Sequence, residues 1–322
     1  ALGLFTIGGV TTTWLLLLLT FSLGIGAALN APAYKAITPE VIPKSQLRAA
    51  VALNSVGINL ARAVGPALGG LVVAAAGSGV AFLLNAITFV GMIVVLYRWK
   101  RVPHTSVLPA ERFVGAMRTG VRFIRHAPSL QAVLIRTAAF ILCGSALWAL
   151  LPIIVRFEMQ QGPGEYGLLL GCFGVGAVLG AVLLPLVRSK VSIDQLMVAA
   201  TVLFAGVLLL LAVLRSVAGM GAALVIGGTA WLTMLSSLNA SAQAAVPAWV
   251  RGRALAVYLL VFFGGMAGSS AVWGLIASST GVSTALVLAA AGLGLGLLTA
   301  IKYRLTGGET LDLTPSMHWP VP

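Results

Sequence analysis

The composition of the chain excludes a water-soluble globular protein. Of its 322 residues, 59% are hydrophobic and only 8% are charged, whereas a soluble domain carries roughly 25% charged residues. The formal net charge of +13 would suggest a nucleic-acid partner in a soluble protein, but cationic loops are the ordinary orientation signal of membrane proteins. We therefore predict an all-α polytopic membrane protein that has membrane lipid, and no nucleic acid, as a partner.

Apolar runs of membrane-spanning length recur along the whole sequence. A helix needs roughly 20 apolar residues to cross the hydrocarbon core, and this length predicts nine full spans after a shorter apolar segment at 1–12. Glycine turns at Gly77 and Gly281 separate neighbouring spans. The predicted spans are 14–36, 47–76, 79–99, 134–157, 165–187, 193–214, 217–246, 252–279 and 282–303.

The lysines and arginines sort to one side of this map. Of the 20 cations, only Arg156 and Arg215 fall in loops on the other side, and Arg62 falls within a span. Because cytoplasmic loops of membrane proteins carry the excess of Lys and Arg, the crowded side is predicted to be cytoplasmic. The C-terminus is then cytoplasmic as well, and Arg136 and Asp194 are assigned to the cytoplasmic side.

The segment 100–133 separates the third predicted span from the fourth. Phe113, Met117, Val121 and Ile124 recur at helical spacing while arginines occupy the other faces. This pattern predicts a basic amphipathic helix on the membrane surface that joins two halves; a regulatory or partner site is the alternative. The predicted domains are a partial N-terminal helix bundle at 1–99, the linker at 100–133, a C-terminal bundle at 134–304 and a cytoplasmic tail at 305–322.

The two halves share an internal repeat. NAPAYKAITP (30–39) is echoed by NASAQAAVP (239–247), and RAAVAL from Arg48 is echoed by RALAVY from Arg253, an offset of 205 positions between 48 and 253. A parallel repeat of about six helices, joined by a long linker, is typical of secondary transporters that bind substrate near the interface of the halves.

Four segments give the chain a resemblance to a known family. They are GPALGG at 65–70, LNAPAYKAITPEVIP, GVRFIRHAPSL and LDLTPSMHWP. The chain resembles the major facilitator superfamily, in particular its drug- and siderophore-exporter branch of enterobactin-exporter-like proteins and transmembrane secretion effectors. GPALGG is similar to the core of the antiporter motif of drug exporters, although Ala52 and Ala61 replace its two earlier glycines. The resemblance implies two pseudo-symmetric bundles of a twelve-helix fold, of which this chain lacks about the first two and a half helices.

The same resemblance implies a function. It implies a monomeric secondary-active transporter in the bacterial cytoplasmic (inner) membrane that exports amphipathic, drug-like or siderophore-like small molecules by alternating access, coupled to protons. An importer or lipid translocator on the same fold, or an inactive truncated fragment, are the alternatives. The sequence has no Gly-x-x-x-x-Gly-Lys-Ser/Thr phosphate loop and no converging acids, histidines or nucleophile at one depth. We therefore expect no enzymatic activity, no cofactor and no metal.

Arg62 is the candidate for transport chemistry, because the sequence map leaves it as the only ionisable residue deep in a span. A charge at that depth costs about 2.5–3.5 kcal/mol on insertion scales and is a functional candidate by default. Arg62 would bind an anionic substrate group or couple to an acid, with Asn54, Asn59 and Asn85 as candidate neutral neighbours. The alternative is a structural cation held by backbone carbonyls.

Small residues surround this arginine. Gly57, Ala61, Gly65 and Gly69 follow i, i+4 spacing, which predicts a ridge that another helix approaches closely. Pro66 removes the hydrogen bond to the carbonyl of Arg62. The transport motif is thus predicted to comprise Gly65, Pro66, Gly69 and Gly70 together with Arg62.

Other polar and aromatic residues in the spans are candidate cavity-lining residues, since such groups face the interior of a bundle. For each of them plain packing is the alternative. The candidates are Asn30, Tyr34, Asn85, Trp148, Trp231 and Asn239, with Ser236, Ser237 and Gln243 beside the last of these.

Overall fold

The computed structural model describes residues 1–41, 46–98, 123–246 and 250–305, and the regular secondary structure of these residues is helical. For most positions between 28 and 67 the description covers the backbone alone. In chain order the helices are α1 (Leu2–Ile7), α2 (Thr13–Val41), α3 (Leu47–Arg98), α4 (Pro128–Ile153) with a π-helical turn (Ile154–Glu158), α5 (Pro163–Arg188), α6 (Ile193–Val213), α7 (Val217–Ala244), α8 (Arg251–Thr280), α9 (Val282–Gly296) and α10 (Leu298–Lys302).

Seven segments of the described chain are long and apolar enough to cross a membrane. This confirms the all-α polytopic prediction. The two further predicted spans, 14–36 and 47–76, coincide with α2 and with the first part of α3, where the side chains are described only in part. The seven segments are Leu68–Arg98, Pro128–Glu158, Pro163–Arg188, Ile193–Val213, Val217–Ala244, Gly252–Thr280 and Val282–Lys302.

Two glycines break the helices at equivalent places in the repeat. As one straight helix, the 52 residues of α3 would measure roughly 78 Å at 1.5 Å per residue, more than twice the roughly 30 Å hydrocarbon core. Gly77 interrupts α3 with φ 81° and ψ 164°, and Gly281 separates α8 from α9 with φ 90° and ψ 156°. Glycine adopts such a positive φ without the penalty of a side chain. Positions 77 and 281 differ by 204, so the break follows the repeat seen in the sequence.

Contacts divide the chain into two compact units. The first comprises Ala1–Thr105 and Gln161–Gly174, and the second comprises Ser106–Gln160 and Val175–Pro322. α5 therefore contributes its first turns to the first unit and its remaining turns to the second. The domain boundaries predicted at 99, 133 and 304 stay a prediction.

In the first unit, α1 lies against the second part of α3. A Cβ atom added to Gly79 would lie 2.6 Å from Cγ1 of Ile7, and one added to Gly3 would lie 2.8 Å from Cγ of Leu83. The two helices approach this closely because neither glycine has a side chain.

The second unit has a continuous apolar core. α9 packs against both α4 and α6, α8 packs along α4, and α7 packs along α6. At the end of the unit where α4 begins, Phe123 and Ile124 pack on a cluster that includes Leu130, Val246 and Val250. Ile124 belongs to the predicted apolar face of the linker helix, whereas Phe113, Met117 and Val121 lie outside the described residues.

The start of α4 corrects the sequence map. The helix begins at Pro128, six residues before the predicted span at 134, with proline at a helix-starting position. Gln131 donates through Nε2 to the carbonyl oxygens of Ile124 and Arg125, both at 2.9 Å. Arg136, close to the start of the predicted span, therefore lies further inside a membrane-length helix than predicted and is only 4% exposed. Average hydropathy missed this start because the first turns of α4 mix polar with apolar residues.

Candidate functional site

The glycine motif contacts the rest of its unit through its last residue. A Cβ added to Gly70 would lie 2.7 Å from Cα of Gly167 and 2.8 Å from the carbonyl oxygen of Pro163, both on α5. Around Gly65 and Gly69, by contrast, no described atom lies within 4 Å of an added Cβ. The motif thus brings α3 against the start of α5 at Gly70, while the predicted ridge faces no described helix.

The backbone is helical at the other candidates near this motif. α3 continues through Pro66 without a break, and its non-helical residue is Gly77. The side chains of Asn30, Tyr34, Asn54, Asn59, Arg62 and Pro66 lie outside the described part of the structure. Their predicted roles stay predictions.

Asn85 lies apart from these residues, on the second part of α3. Its side chain is exposed and lines a groove of about 400 Å³ in the first unit, together with Ser22, Phe82 and Phe89. The groove is mostly apolar, so Asn85 supplies one of its few hydrogen-bonding groups.

Two predicted cavity residues meet in an aromatic cluster of the second unit. The rings of Trp231 and Trp148 lie 5.7 Å apart in an edge-to-face arrangement, and Trp231 also contacts Phe140 at 5.5 Å and Phe204 at 5.4 Å. Gly144 leaves room for the indole, since its added Cβ would lie 3.3 Å from Trp231. Trp231 is only 7% exposed and packs in the core, whereas half-buried Trp148 extends the cluster towards the surface.

The last turns of α7 carry a polar stripe. Ser236, Asn239 and Gln243 share one helix face, because residues three, four and seven apart lie above one another. Asn239 and Gln243 are exposed and Ser236 is half-buried. Exposed polar groups on a membrane helix face a bundle interior or a water-filled cavity rather than lipid. The exposure of Asn239 fits its predicted place in a cavity lining, which stays a prediction.

Beside the stripe, Ser237 is fully buried. Within the described part of the chain, its hydroxyl has no hydrogen-bond partner. Of the predicted polar residues on α7, Ser237 thus faces the core and Asn239 faces outward.

Hydrogen bonds from hydroxyl and indole groups connect α4 to α8. Ser145 Oγ and Ser269 Oγ lie 2.6 Å apart in a buried contact, and Ser269 donates to the carbonyl oxygen of Gly265 at 2.5 Å. Trp273 Nε1 donates to the carbonyl oxygen of Leu142 at 2.7 Å. Sequence reasoning missed this contact because isolated serines in an apolar run carry no pairing signal.

A buried ion pair joins α4 to the start of α6. Arg136 donates from Nη1 to Oδ1 of Asp194, and the backbone N–H of Leu305 approaches the same carboxylate at 3.2 Å from Oδ2. Three segments thus meet at one carboxylate: the first turns of α4, the first turn of α6, and the chain just after α10.

A second ion pair lies at the opposite end of the same two helices. Arg215, just past the end of α6, lies 2.5 Å from Oε2 of Glu158 in the π-helical turn. It also donates to Ser283 Oγ at 2.8 Å and to the carbonyl oxygens of Leu211 at 2.8 Å and Ala212 at 3.2 Å. Arg215 therefore ties α6, α9 and the end of α4 together.

The two ion pairs hold α4 and α6 parallel and in fixed register. Asp194 at the N-terminus of α6 and Arg215 beyond its C-terminus both complement the macrodipole of that helix. The sequence map places Asp194 on the same side of the membrane as Arg136, and this shared side is the only signal for their pairing. In the described part of the chain, no three His, Cys, Asp or Glu residues group as a metal site.

These observations define the class of protein. Seven membrane-length helices among the described residues and a glycine break repeated at positions 77 and 281 are the features of an integral membrane protein, and its fold is that of the major facilitators. The chain is similar to a solved structure of a bacterial homolog of the human lysosomal transporter Spinster, in an inward-facing and unoccupied conformation. The match covers 91% of this chain and 76% of the Spinster homolog, with a TM-score of 0.52 and 14% sequence identity. That similarity supports the fold.

The family follows from the sequence match. The sequence profile of the transmembrane secretion effector family matches residues 1–322. The chain therefore belongs to this family, which is part of the major facilitator superfamily. The chain is also 24% identical to the staphyloferrin A transporter of Staphylococcus aureus over 186 residues, which are 56% of this chain and 45% of that transporter. The match thus spans less than half the length of this relative. Both the family and the fold are those of transporters.

Proposed function

We propose that the protein is a secondary-active transporter that exports amphipathic small molecules, drug-like or siderophore-like, by alternating access. The observation that carries this proposal is the family match over residues 1–322. The relative that is a staphyloferrin A transporter favours a siderophore-like substrate. Transport by this fold uses a site at the interface of two helix repeats.

Two features of the second unit suit an amphipathic substrate. Asn239 and Gln243 present amide groups on the outward stripe of α7, and Trp148 presents an aromatic surface next to the buried cluster. A ligand with apolar rings and several hydrogen-bonding groups would use both, because binding sites combine apolar walls with a few placed polar groups.

Proton antiport is the proposed driving force, and the family resemblance is its basis. Of the acids with described side chains, Asp194 and Glu158 are engaged in ion pairs, and Glu165 accepts from the backbone N–H of Gly162 at 3.0 Å. Arg62 is the proposed ligand for an anionic substrate group or for a coupling acid.

The proposed location is the bacterial cytoplasmic membrane, with the C-terminus in the cytoplasm. We propose that the chain acts as a monomer.

Transport in reconstituted vesicles tests the proposal. The full chain is placed in vesicles with an imposed pH gradient, and the movement of ethidium and of staphyloferrin A is measured. We expect gradient-dependent movement of at least one probe. Its direction relative to the protein's orientation separates an exporter from an importer. Movement that ignores the gradient would contradict proton coupling, and no movement with folded protein would contradict transport of these substrate classes.

Serine and amide variants locate the proposed surface. Asn239→Ala and Ser236→Ala are expected to raise the KM for the transported probe. Ser278→Ala is the matched control, because Ser278 is exposed at the end of α8 and bonds within its own helix to Leu275 at 2.8 Å. Equal effects of Ser236→Ala and Ser278→Ala would contradict a role for the stripe.

Arg62→Ala is expected to abolish transport while leaving membrane insertion intact.

A further inference from the structure

A groove with apolar walls and a cationic rim lies at one end of the second unit. It has a volume of about 800 Å³ and runs between the start of α6 and the segment from the end of α9 through α10. Val198, Leu298 and Ile301 form its apolar walls, and Arg304 lies at its rim. Leu298 is 61% exposed and Ile301 is 71% exposed. Since both lie within the membrane-length segment Val282–Lys302, we expect these side chains to face the acyl region of the bilayer.

One cation, Arg304, lines the groove, and three further cations lie close to its segments along the chain. Arg304 and Lys302 follow α9, and Arg188 and Lys190 precede the first residue of α6; all four are exposed. Asp194 is the one acid in the lining, and Arg136 pairs with it from inside the bundle. The carboxylate is therefore already neutralised, and Arg304 is the cation left in the lining of the groove.

The cations, rather than the N-terminus of α6, supply the attraction for an anion. The helix N-terminus is closed by a capping box: Ser192 Oγ accepts from the backbone N–H of Gln195 at 3.3 Å, and Gln195 Oε1 accepts from the backbone N–H of Ser192 at 3.1 Å. These reciprocal bonds occupy helix-end donors that would otherwise bind an anion.

A second groove on α6 provides an internal comparison. It has a volume of about 610 Å³, lies between the later turns of α6 and α7, and has apolar side chains as its lining, among them Val202, Leu209, Leu210 and Val213. This groove has the chemistry of an ordinary acyl-chain surface. The first groove differs from it by the exposed arginine in its lining, Arg304.

We propose that the basic groove binds an anionic phospholipid. The phosphate would lie against Arg304 and its neighbouring cations, and an acyl chain would lie along Val198, Leu298 and Ile301. Basic pockets between membrane helices bind anionic headgroups in this way, and each nearby Lys or Arg contributes about 1 kcal/mol near a charged surface. The proposal goes beyond transport and does not depend on the substrate or on the direction of transport.

Lipid binding to the purified full chain tests the proposal. Native mass spectrometry in detergent counts bound phosphatidylglycerol against phosphatidylcholine, and thermal unfolding measures the stabilisation that each gives. We expect tighter association of phosphatidylglycerol, weakened about five-fold by Arg304→Gln. Arg156→Gln is the matched control, because Arg156 is an exposed arginine of the π-helical turn at the other end of the unit. An equal effect of the two variants would contradict the site.

A second variant tests the apolar half of the groove. Leu298→Asn keeps every cation and lies at an exposed position, so we expect it to fold and to bind phosphatidylglycerol more weakly. Soluble glycerol phosphate is expected to give no stabilisation at the concentrations at which the lipid does. If glycerol phosphate stabilises the chain equally and Leu298→Asn has no effect, the groove is a phosphate site and the lipid proposal is overturned.

Discussion

The hydroxyl of Thr229 on α7 donates to the carbonyl oxygen of Gly176 on α5, with 2.8 Å between the two oxygens. The backbones are in contact here: a Cβ added to Gly176 would lie 1.9 Å from the carbonyl oxygen of Val225, and one added to Gly180 would lie 3.0 Å from that of Thr229. Gly176 and Gly180, four residues apart on α5, thus contact Val225 and Thr229, four residues apart on α7. In lipid, where apolar burial gives little drive to pair helices, such close packing and hydrogen bonding hold them together.

Gly176→Ala is therefore expected to destabilise the second unit. The added methyl group meets backbone rather than a flexible side chain, so the helices must separate; overpacking of this kind costs about 3 kcal/mol. Gly206→Ala on α6 is the control, because no described atom lies within 4 Å of its added Cβ and alanine favours helix by about 1 kcal/mol. Thermal unfolding in detergent should give opposite signs for the two variants, and equal shifts would contradict the close contact.

Asp194→Asn is expected to destabilise the bundle more than a surface change does. It leaves the guanidinium of Arg136 buried without its counter-charge, and breaking a buried pair costs about 3 kcal/mol at the lower end of the usual range. The lower end applies because Asp194 is 28% exposed. A double-mutant cycle with Arg136→Met measures the coupling, and additive effects of the two substitutions would contradict a direct pair.

Arg215→Met is expected to cost more than Glu158→Gln. Glu158→Gln removes a partly exposed ion pair, in which both side chains keep about a third of their surface accessible, worth about 0.5 kcal/mol. Arg215→Met also removes the hydrogen bonds to Ser283 and to the carbonyl oxygens at the end of α6, for a total cost of about 2 kcal/mol. The unfolding temperature of each variant should be compared at low and high salt. Only the small ion-pair component should fall with added salt, and a Glu158→Gln effect as large as that of Arg215→Met would contradict the assignment.

Ser237→Ala is expected to raise the stability of the chain. A buried hydroxyl without a partner costs about 1–3 kcal/mol, and alanine occupies the same space with a better helix propensity. Ser145→Ala is the comparison, because Ser145 contacts Ser269 at 2.6 Å and its loss should destabilise. A decrease in unfolding temperature for Ser237→Ala would indicate that this hydroxyl binds water or another group.

Gly70→Ala is expected to disturb the glycine motif where Gly69→Ala does not. The added methyl group at Gly70 meets the backbone of Gly167, so α3 must move away from the start of α5. At Gly69 no described atom lies within 4 Å of the added Cβ. Transport rate and unfolding temperature should both fall for Gly70→Ala. Loss of transport in Gly69→Ala alone would instead favour the predicted ridge as the working surface of the motif.

The sequence predicts the spans well because a bilayer demands long apolar helices with internally bonded backbones. It also predicts the breaks at Gly77 and Gly281, because a repeated glycine between apolar runs signals a turn. It does not predict that α4 begins at Pro128, since the first turns of that helix pack on protein rather than lipid. The sequence places Arg136 near the cytoplasmic end of the predicted span and carries no signal of its burial.

The candidate site was predictable only in part. Polar residues within spans identify the stripe around Asn239, because membrane helices tolerate such groups only away from lipid. The same reasoning could not separate Trp148 from Trp231, which differ in burial but not in type. It also could not separate Asn239 from Ser237, because which face of α7 meets the core depends on neighbours distant in sequence.

The bond between Asp194 and the backbone of Leu305 has a practical consequence for probes attached to the protein. The chain leaves the described bundle at Leu305 from a point fixed to α6, so a fluorophore placed at Arg304 would report the position of α6 rather than the motion of a free end. Asp194→Asn would weaken this attachment and increase the rotational freedom of the same dye. Fluorescence anisotropy at residue 304 would then show whether the backbone at Leu305 is held by Asp194 or moves independently of α6. The measurement needs no substrate.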